Sequence, residues 1–218
     1  MQLASDIKTL IQCDFDGTIT EGDISFLILD EFATGDWRQL LAQYKEKKIS
    51  VGCFNTKAFT MIKEDKQTLE RFVREKARIK AGFFKLLTYC QQRGFRFVIV
   101  SNGLDFYIRT ILDNIGADNI EVYAAQARFG TDCIETHYLG PEDTELHDDF
   151  KEAYTRYFIK SGYRVIYVGN GASDASSAYL THHVFATGPL LVHCQETKLN
   201  FTPFNDLNDV VKGLKLLG

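Results

Sequence analysis

Three apolar runs along the chain each stop abruptly at polar residues beside glycine: "IKTLIQCDF" ahead of Asp16 and Gly17, "FRFVIVSN" at 95–102, and "RVIYVGNG" at 164–171. Their length and their lack of alternation predict strands buried on both faces. Shorter runs, "IEVYAA" at 120–125 and "HVFATG" at 183–188, extend the same sheet, and "CIETHYL" near 133 alternates as a hairpin strand does. Between them "AGFFKLLTYCQQRG", "LDFYIRTILDNIG" and "DDFKEAYTRYFIKSG" carry helical spacing and close at Gly94, Gly116 and Gly162, where a helix commonly ends. Strands alternating with helices predict an α/β fold, a doubly wound and mainly parallel sheet covered on both faces.

Residues 21–80 break this rhythm. "DISFLILDEFA", "DWRQLLAQYKEKK", "SVGCFNTKAFTMIKED" and "TLERFVREKARI" follow one another with helical spacing, with Asp23, Asp36, Ser50 and Thr68 as the expected caps. Four helices inserted after the first strand would stand above the carboxyl ends of the strands, where open α/β sheets bind ligands. The expected organisation is a core of residues 1–20 and 81–218, with 21–80 as a helical cap that works as a lid.

Composition narrows the partner. With 218 residues, 45% of them hydrophobic, the chain can bury one substantial core. Its net charge of −4 comes from interspersed charges, which leaves no basic face for nucleic acid or a membrane surface. The five cysteines lie far apart with no C-x-x-C pair, which argues against zinc and against a secreted disulfide framework. The start of the chain lacks the pattern of a signal peptide, and no apolar run is long enough to span a bilayer. The expectation is a cytoplasmic protein with a small-molecule partner.

The candidate chemistry sits in "IQCDFDGTIT". Asp14 and Asp16 are two positions apart at the end of a strand, so they can face the same side and converge on the crevice above the sheet. Close carboxylates repel and are costly to desolvate together, unless a cation neutralises them or they share a proton. A hard divalent ion, Mg2+ in the first place, meets that need. Gly17 permits tight backbone geometry beside the acids, and Thr18 offers a hydroxyl and an amide to an anion.

"DFDGT" at 14–18, "FVIVSNG", Lys151 and "VIYVGNGASD" together resemble the haloacid dehalogenase-like phosphatases, a superfamily with a Rossmann-like core, and the resemblance covers nearly the whole chain. It implies hydrolysis of a phosphate ester through an aspartyl-phosphate. Asp14 is then the nucleophile, and Asp16 the acid that protonates the leaving oxygen and later the base that activates water, which agrees with the chemistry of two adjacent carboxylates. Ser101 would donate to the transferring phosphoryl group, with the amides of Asn102 and Gly103 nearby; a serine ending a strand also serves as a cap for the next helix. Lys151 matches the family's lysine between nucleophile and phosphate, with Lys160 as the rival if the register is shifted.

One position departs from the family. Where its members usually carry a metal-binding aspartate, "GNGASD" has Asn170, leaving Asp14, the backbone carbonyl of Asp16 and Asn170 as the expected ligands, with Asp174 behind or beside them. The lost charge should lower metal affinity. A neutral ligand used by design, an introduced change that slows the enzyme, and an impaired relative kept for binding all fit this position.

The likeness of "DFDGTITEGDISFLILDEFA" and "ARIKAGFFKLLTYCQQRGFRFVIVSNGLDFYI" is greatest to the branch holding the methionine-salvage phosphatase that acts on 2-hydroxy-3-keto-5-methylthiopentenyl-1-phosphate; phosphoserine phosphatase lies in the same broader group. The resemblance implies a small phosphorylated metabolite as substrate and a monomer or homodimer. Asp23 stands where that group has a glutamate that reads an amino group, but is equally an ordinary helix cap. Arg71, Arg74 and Arg78 read as solvated charges. Phe26, Phe54 and Phe59 read as core or as a pocket for a thioether tail, and His182 and His183 as structural. A receiver-type signalling domain also gathers carboxylates above a parallel sheet but lacks the insertion and the D-x-D pair. A silent binding protein on the same fold rests on Asn170 alone.

Overall fold

In a computed structural model describing residues 8–146 and 148–217, the strands form one seven-stranded sheet. At its centre β1 (Thr9–Cys13) pairs in parallel with β2 (Arg96–Leu104) on one side and with β5 (Arg164–Gly169) on the other. Beyond β2 come β3 (Glu121–Phe129) and β4 (Ile134–His137); beyond β5 come β6 (His183–Ala186) and β7 (Phe201–Pro203). Only β4 runs antiparallel, as the hairpin partner of β3. All five residues of β1 are buried, which is why its sequence shows no alternation.

Four helices follow β1 in an unbroken block before the chain returns to cover and extend the sheet: α1 (Ile24–Phe32), α2 (Trp37–Lys45), α3 (Val51–Phe59) and α4 (Lys66–Lys76). Asp23, Asp36 and Ser50 cap the first three. The fourth cap is Asp65 rather than Thr68. The Asp65 carboxylate accepts the Thr68 N–H at 2.8 Å, so Thr68 lies inside the first turn as a capped donor. The block leaves and rejoins the sheet through a short antiparallel ladder, with Thr20 opposite Ile79, Glu21 N–H donating to Arg78 O at 2.9 Å and Lys80 N–H to Ile19 O at 2.8 Å. One apolar cluster runs from Leu10, Ile11 and Val100 through Phe15, Ile19 and Tyr107 into Phe54, Leu69 and Val73 of the helical block.

The sheet is covered by α5 (Phe83–Arg93), α6 (Asp105–Asn114), α7 (Phe150–Lys160), α8 (Ala175–Leu180), α9 (Gly188–Thr197) and α10 (Leu207–Leu216). α5 ends on Gly94 at φ 66°, a left-handed conformation that costs glycine little. The sequence pattern did not single out α8, α9, β7 or α10. Both α8 and β7 are too short to show a period, and α9 opens on Gly188 and Pro189, which read as a turn. All five cysteines are free thiols. Among the described residues no helix is long and apolar enough to cross a membrane.

Candidate active site

Asp14 follows β1 directly, its N–H bonded to Val168 O of β5 at 2.9 Å, so the backbone still holds it in the sheet while its side chain stands at the carboxyl edge. Lys151 Nζ lies 2.6 Å from Asp14 Oδ1 and 2.6 Å from Asp174 Oδ1, and all three side chains are almost fully buried. What aims the lysine is Gln12, the one amide within buried β1. Its Nε2 donates to Lys151 O at 3.2 Å and its Oε1 accepts from Thr155 at 2.9 Å, which pins the first turn of α7 to the central strand. Asp174 is satisfied on every side. Oδ1 also accepts from Tyr167 at 2.7 Å, and Oδ2 accepts the N–H groups of Asn170 and Gly171 at 2.9 and 2.8 Å, which folds the loop after β5 around it.

Asp16 faces the helical block. Its Oδ1 accepts Ile24 N–H at 2.9 Å and its Oδ2 accepts Tyr107 O–H at 2.6 Å, and the same Tyr107 hydroxyl is 2.8 Å from Ser25 Oγ. Gly103 is needed beside this pair, because a Cβ there would run into the Tyr107 hydroxyl and the Asp16 carboxylate. Gly17, at φ 70°, lies against the Asn170 amide, which leaves no room for a side chain. Ser101 does not cap α6. Residues 102–104 form a bulged continuation of β2, and the Ser101 hydroxyl accepts Gly103 N–H at 3.0 Å, leaving its own proton to donate.

Asp14, Asp16, Gly17, Asp23, Ser101, Asn102, Gly103, Lys151 and Asn170 line one cavity of about 470 Å³, whose far wall is Phe26, Leu41, Tyr44, Lys45, Val51 and Phe54; Glu21 and Asn55 line it too, and Asn55 is bonded to Asn102. Thr18 and Asp174 are absent from that wall: Asp174 lies behind the lysine, and Thr18 Oγ sits 3.3 Å from Asp14 Oδ2 and 3.1 Å from Asn170 Oδ1. Lys160 is exposed at the far end of α7, and it is Lys151 that meets the acids. Asp23 lines the cavity and caps α1 with one side chain. Phe54 and Phe59 are both buried in the core, but only Phe26 and Phe54 line the cavity.

Burial pushes Asp14 up to about 7 against the pull of the Lys151 ammonium, with Asp174 adding to the rise. Asp16 is likewise pushed up to about 7 by burial and then by Asp23, against its bond from Tyr107. Burial works against the Lys151 charge, yet Asp14 and Asp174 overcome it and hold its pKa above the usual range. One buried ammonium thus faces several carboxylates, an excess of negative charge that a cation would relieve.

Among the described residues no three His, Cys, Asp or Glu side chains converge as a metal cage. The donor set is of another kind. Asp14 Oδ2 and Asn170 Oδ1 both lie within reach of the single Thr18 hydroxyl proton, which can satisfy only one of them. Two hard oxygens with spare lone pairs at one point, one charged and one neutral, fit Mg2+, which takes one or two carboxylates and keeps several waters.

Sequence reasoning missed Gln12, Asn55, Lys80, Tyr107 and Tyr138. Lys80 Nζ donates to Gly17 O at 2.6 Å, holding the D-x-D loop from the returning side of the Thr20–Ile79 ladder. Asn55 and Tyr138 close on the Asn102 carbonyl at 2.8 and 2.7 Å. The polar Gln12 inside an apolar strand was the one visible signal among these.

Residues 11–178 match the family model described as haloacid dehalogenase-like hydrolase. The 2-hydroxy-3-keto-5-methylthiopentenyl-1-phosphate phosphatase of Bacillus velezensis is 29% identical over 213 residues, 96% of this chain and 91% of its own. The protein of the same name from Brevibacillus brevis is 28% identical over 213 residues, 95% and 96% of the two chains. Among solved structures, a substrate-bound phosphoserine phosphatase complex superposes with a TM-score of 0.71 at 18% identity, covering 94% of this chain and 97% of the other, a likeness of fold.

Proposed function

From the premise that the chain belongs to the haloacid dehalogenase-like hydrolases and is a phosphoric monoester hydrolase, we propose that it hydrolyses a small phosphorylated metabolite through an aspartyl-phosphate on Asp14. The observation that carries this reading is the buried Asp14–Lys151–Asp174 cluster opening, together with Asp16 and Ser101, onto one cavity. In the first step a carboxylate oxygen of Asp14 attacks phosphorus, the ester P–O bond breaks, and the departing oxygen takes its electron pair and a proton from Asp16. In the second, Asp16 takes a proton from water, the water oxygen attacks phosphorus, and the acyl-phosphate bond opens to release phosphate and restore Asp14. Lys151 balances the charge on the nucleophile, and Ser101 with the amides of Asn102 and Gly103 faces the phosphoryl oxygens. Asp14, the Asp16 carbonyl and Asn170 would hold Mg2+, with Asp174 shaping the loop that carries Asn170. When bound, the ion offsets phosphoryl charge. Residues 21–80 act as the cap that closes over a core of 1–20 and 81–218 and excludes water.

The substrate we favour is 2-hydroxy-3-keto-5-methylthiopentenyl-1-phosphate, the compound in the names of the Bacillus velezensis and Brevibacillus brevis relatives. The cavity has room of the right kind for it. Phe26, Leu41, Val51 and Phe54 give the far wall an apolar stretch beside Tyr44 and Lys45, which suits an uncharged thioether tail. The test is magnesium-dependent phosphate release from a panel of small phosphomonoesters, with Asp14→Asn alongside. Turnover in the variant should fall by roughly 10³ or more, and no acid-stable phosphoprotein or hydroxylamine-sensitive acyl phosphate should form. Undiminished turnover in that variant would sink the mechanism.

A further inference from the structure

Asn55 is buried to within 4% of its surface on α3, and it lines the cavity. Its Nδ2 donates at 2.8 Å to Asn102 O and at 2.8 Å to Tyr138 Oη, while Tyr138 O–H donates at 2.7 Å to the same Asn102 O. This closed triangle fixes which way the amide points. A backbone carbonyl only accepts, so the atom facing Asn102 must be the NH2 group, and Tyr138, its own proton already given to Asn102, must accept the other N–H. Both amide protons are therefore consumed. Among the described residues no donor reaches Asn55 Oδ1, nor is that oxygen one of the fully enclosed unpartnered atoms, so it opens toward the cavity.

A buried acceptor held rigidly and left without a donor favours a ligand that supplies one and disfavours a ligand that does not. Its place in the chain says where on the ligand that donor lies. Asn55 is tied to the residue immediately after Ser101, so its free oxygen stands beside the phosphoryl pocket rather than against the apolar wall. We propose that Asn55 is a specificity-determining residue that accepts a hydrogen bond from a hydroxyl on the substrate carbon next to the phosphorylated one. Resting on the phosphatase reading above, this assigns the enzyme to 2-hydroxy 1-phosphates as a class and sets it against simple alkyl phosphates. The far wall then meets the apolar remainder of the molecule.

The experiment compares kcat/KM for 2-hydroxypropyl phosphate and n-propyl phosphate in the presence of Mg2+, in the natural sequence, in Asn55→Leu and in Tyr138→Phe, with p-nitrophenyl phosphate as a donor-free substrate. The natural sequence should favour the hydroxylated ester by about tenfold or more. Asn55→Leu loosens the Asn102 loop and lowers both rates, but the ratio between the two esters should collapse toward unity, which a purely structural tether would not cause. Tyr138→Phe removes part of the tether and keeps Asn55 Oδ1, so its ratio should stay close to the starting value. Equal rates for the two esters in the natural sequence overturn the proposal without any variant needing to fold. A ratio unchanged in Asn55→Leu, or lost equally in Tyr138→Phe, overturns it as well. Failure to hydrolyse p-nitrophenyl phosphate or either ester overturns the phosphatase reading beneath it instead.

Discussion

Asn170 sits where one more carboxylate would place a second formal charge beside Asp14, and its oxygen already lies 3.1 Å from the Thr18 hydroxyl that also serves Asp14. Restoring that charge with Asn170→Asp should tighten Mg2+ by about tenfold and raise turnover, read from magnesium titrations of phosphate release. A variant that binds Mg2+ more weakly and turns over more slowly would mean that the neutral oxygen is required. Fresh protein is needed, since Asn170 precedes Gly171 and such pairs deamidate to the very residue under test. At this scale the sequence was legible wherever a polar side chain interrupts an apolar run: Asp14 and Asp16 announce themselves, as does the uncharged Gln12 once its burial is known. Tyr107 and Asn55 do not. Each sits on a helix among ordinary neighbours, and the partners that give it meaning lie 91 and 47 residues away along the chain.

Helix α1 carries a tension in its cap. Burial raises the Asp23 carboxyl from 3.8 to about 6, against the bond it accepts from Phe26 N–H, and Asp14 adds to the rise. The folded chain then binds more protons than the unfolded one between roughly pH 4 and 6. The resulting stability is fully present below pH 4 and is lost as pH climbs through 6. Asp23→Asn keeps the cap, since asparagine caps as well as aspartate, and should flatten this part of the pH profile of Tm; an unaltered slope would mean that Asp23 is not its source. In α10 the limit is space. Gly213 lies against the Phe185 ring of β6, where a Cβ would intrude. Gly213→Ala should therefore cost about 1 kcal/mol in denaturant unfolding, overpacking outweighing the gain in helix propensity; a stabilised variant would show that the ring yields freely. Helix caps were largely readable, and the one shift, from Thr68 to Asp65, arose because either side chain can start a helix and only the fold shows which N–H needs an acceptor.

Across the whole molecule, the strand order reverses at β1, with β2 to β4 built outward on one side and β5 to β7 on the other. Alternating strands and helices announced the parallel sheet, but no local pattern says which strand neighbours which, since pairing is decided by packing between distant segments. The reversal brings the carboxyl ends of β1, β2 and β5 together, so Asp14, Ser101 and Asn170 meet although 156 residues separate the first from the last. Because these elements span the sheet, ligands bound among them should stabilise the fold as a unit. Saturating Mg2+ with inorganic phosphate, at about a hundredfold over Kd, should add about 2.7 kcal/mol and raise Tm in calorimetry; a Tm that does not move would count against the site. The ladder in which Thr20 faces Ile79 has a consequence for descent. Departure and return are adjacent, so a cassette of different length recombined between those two points would leave every strand pairing of the sheet in register. A lineage could then change what it recognises while inheriting its chemistry intact.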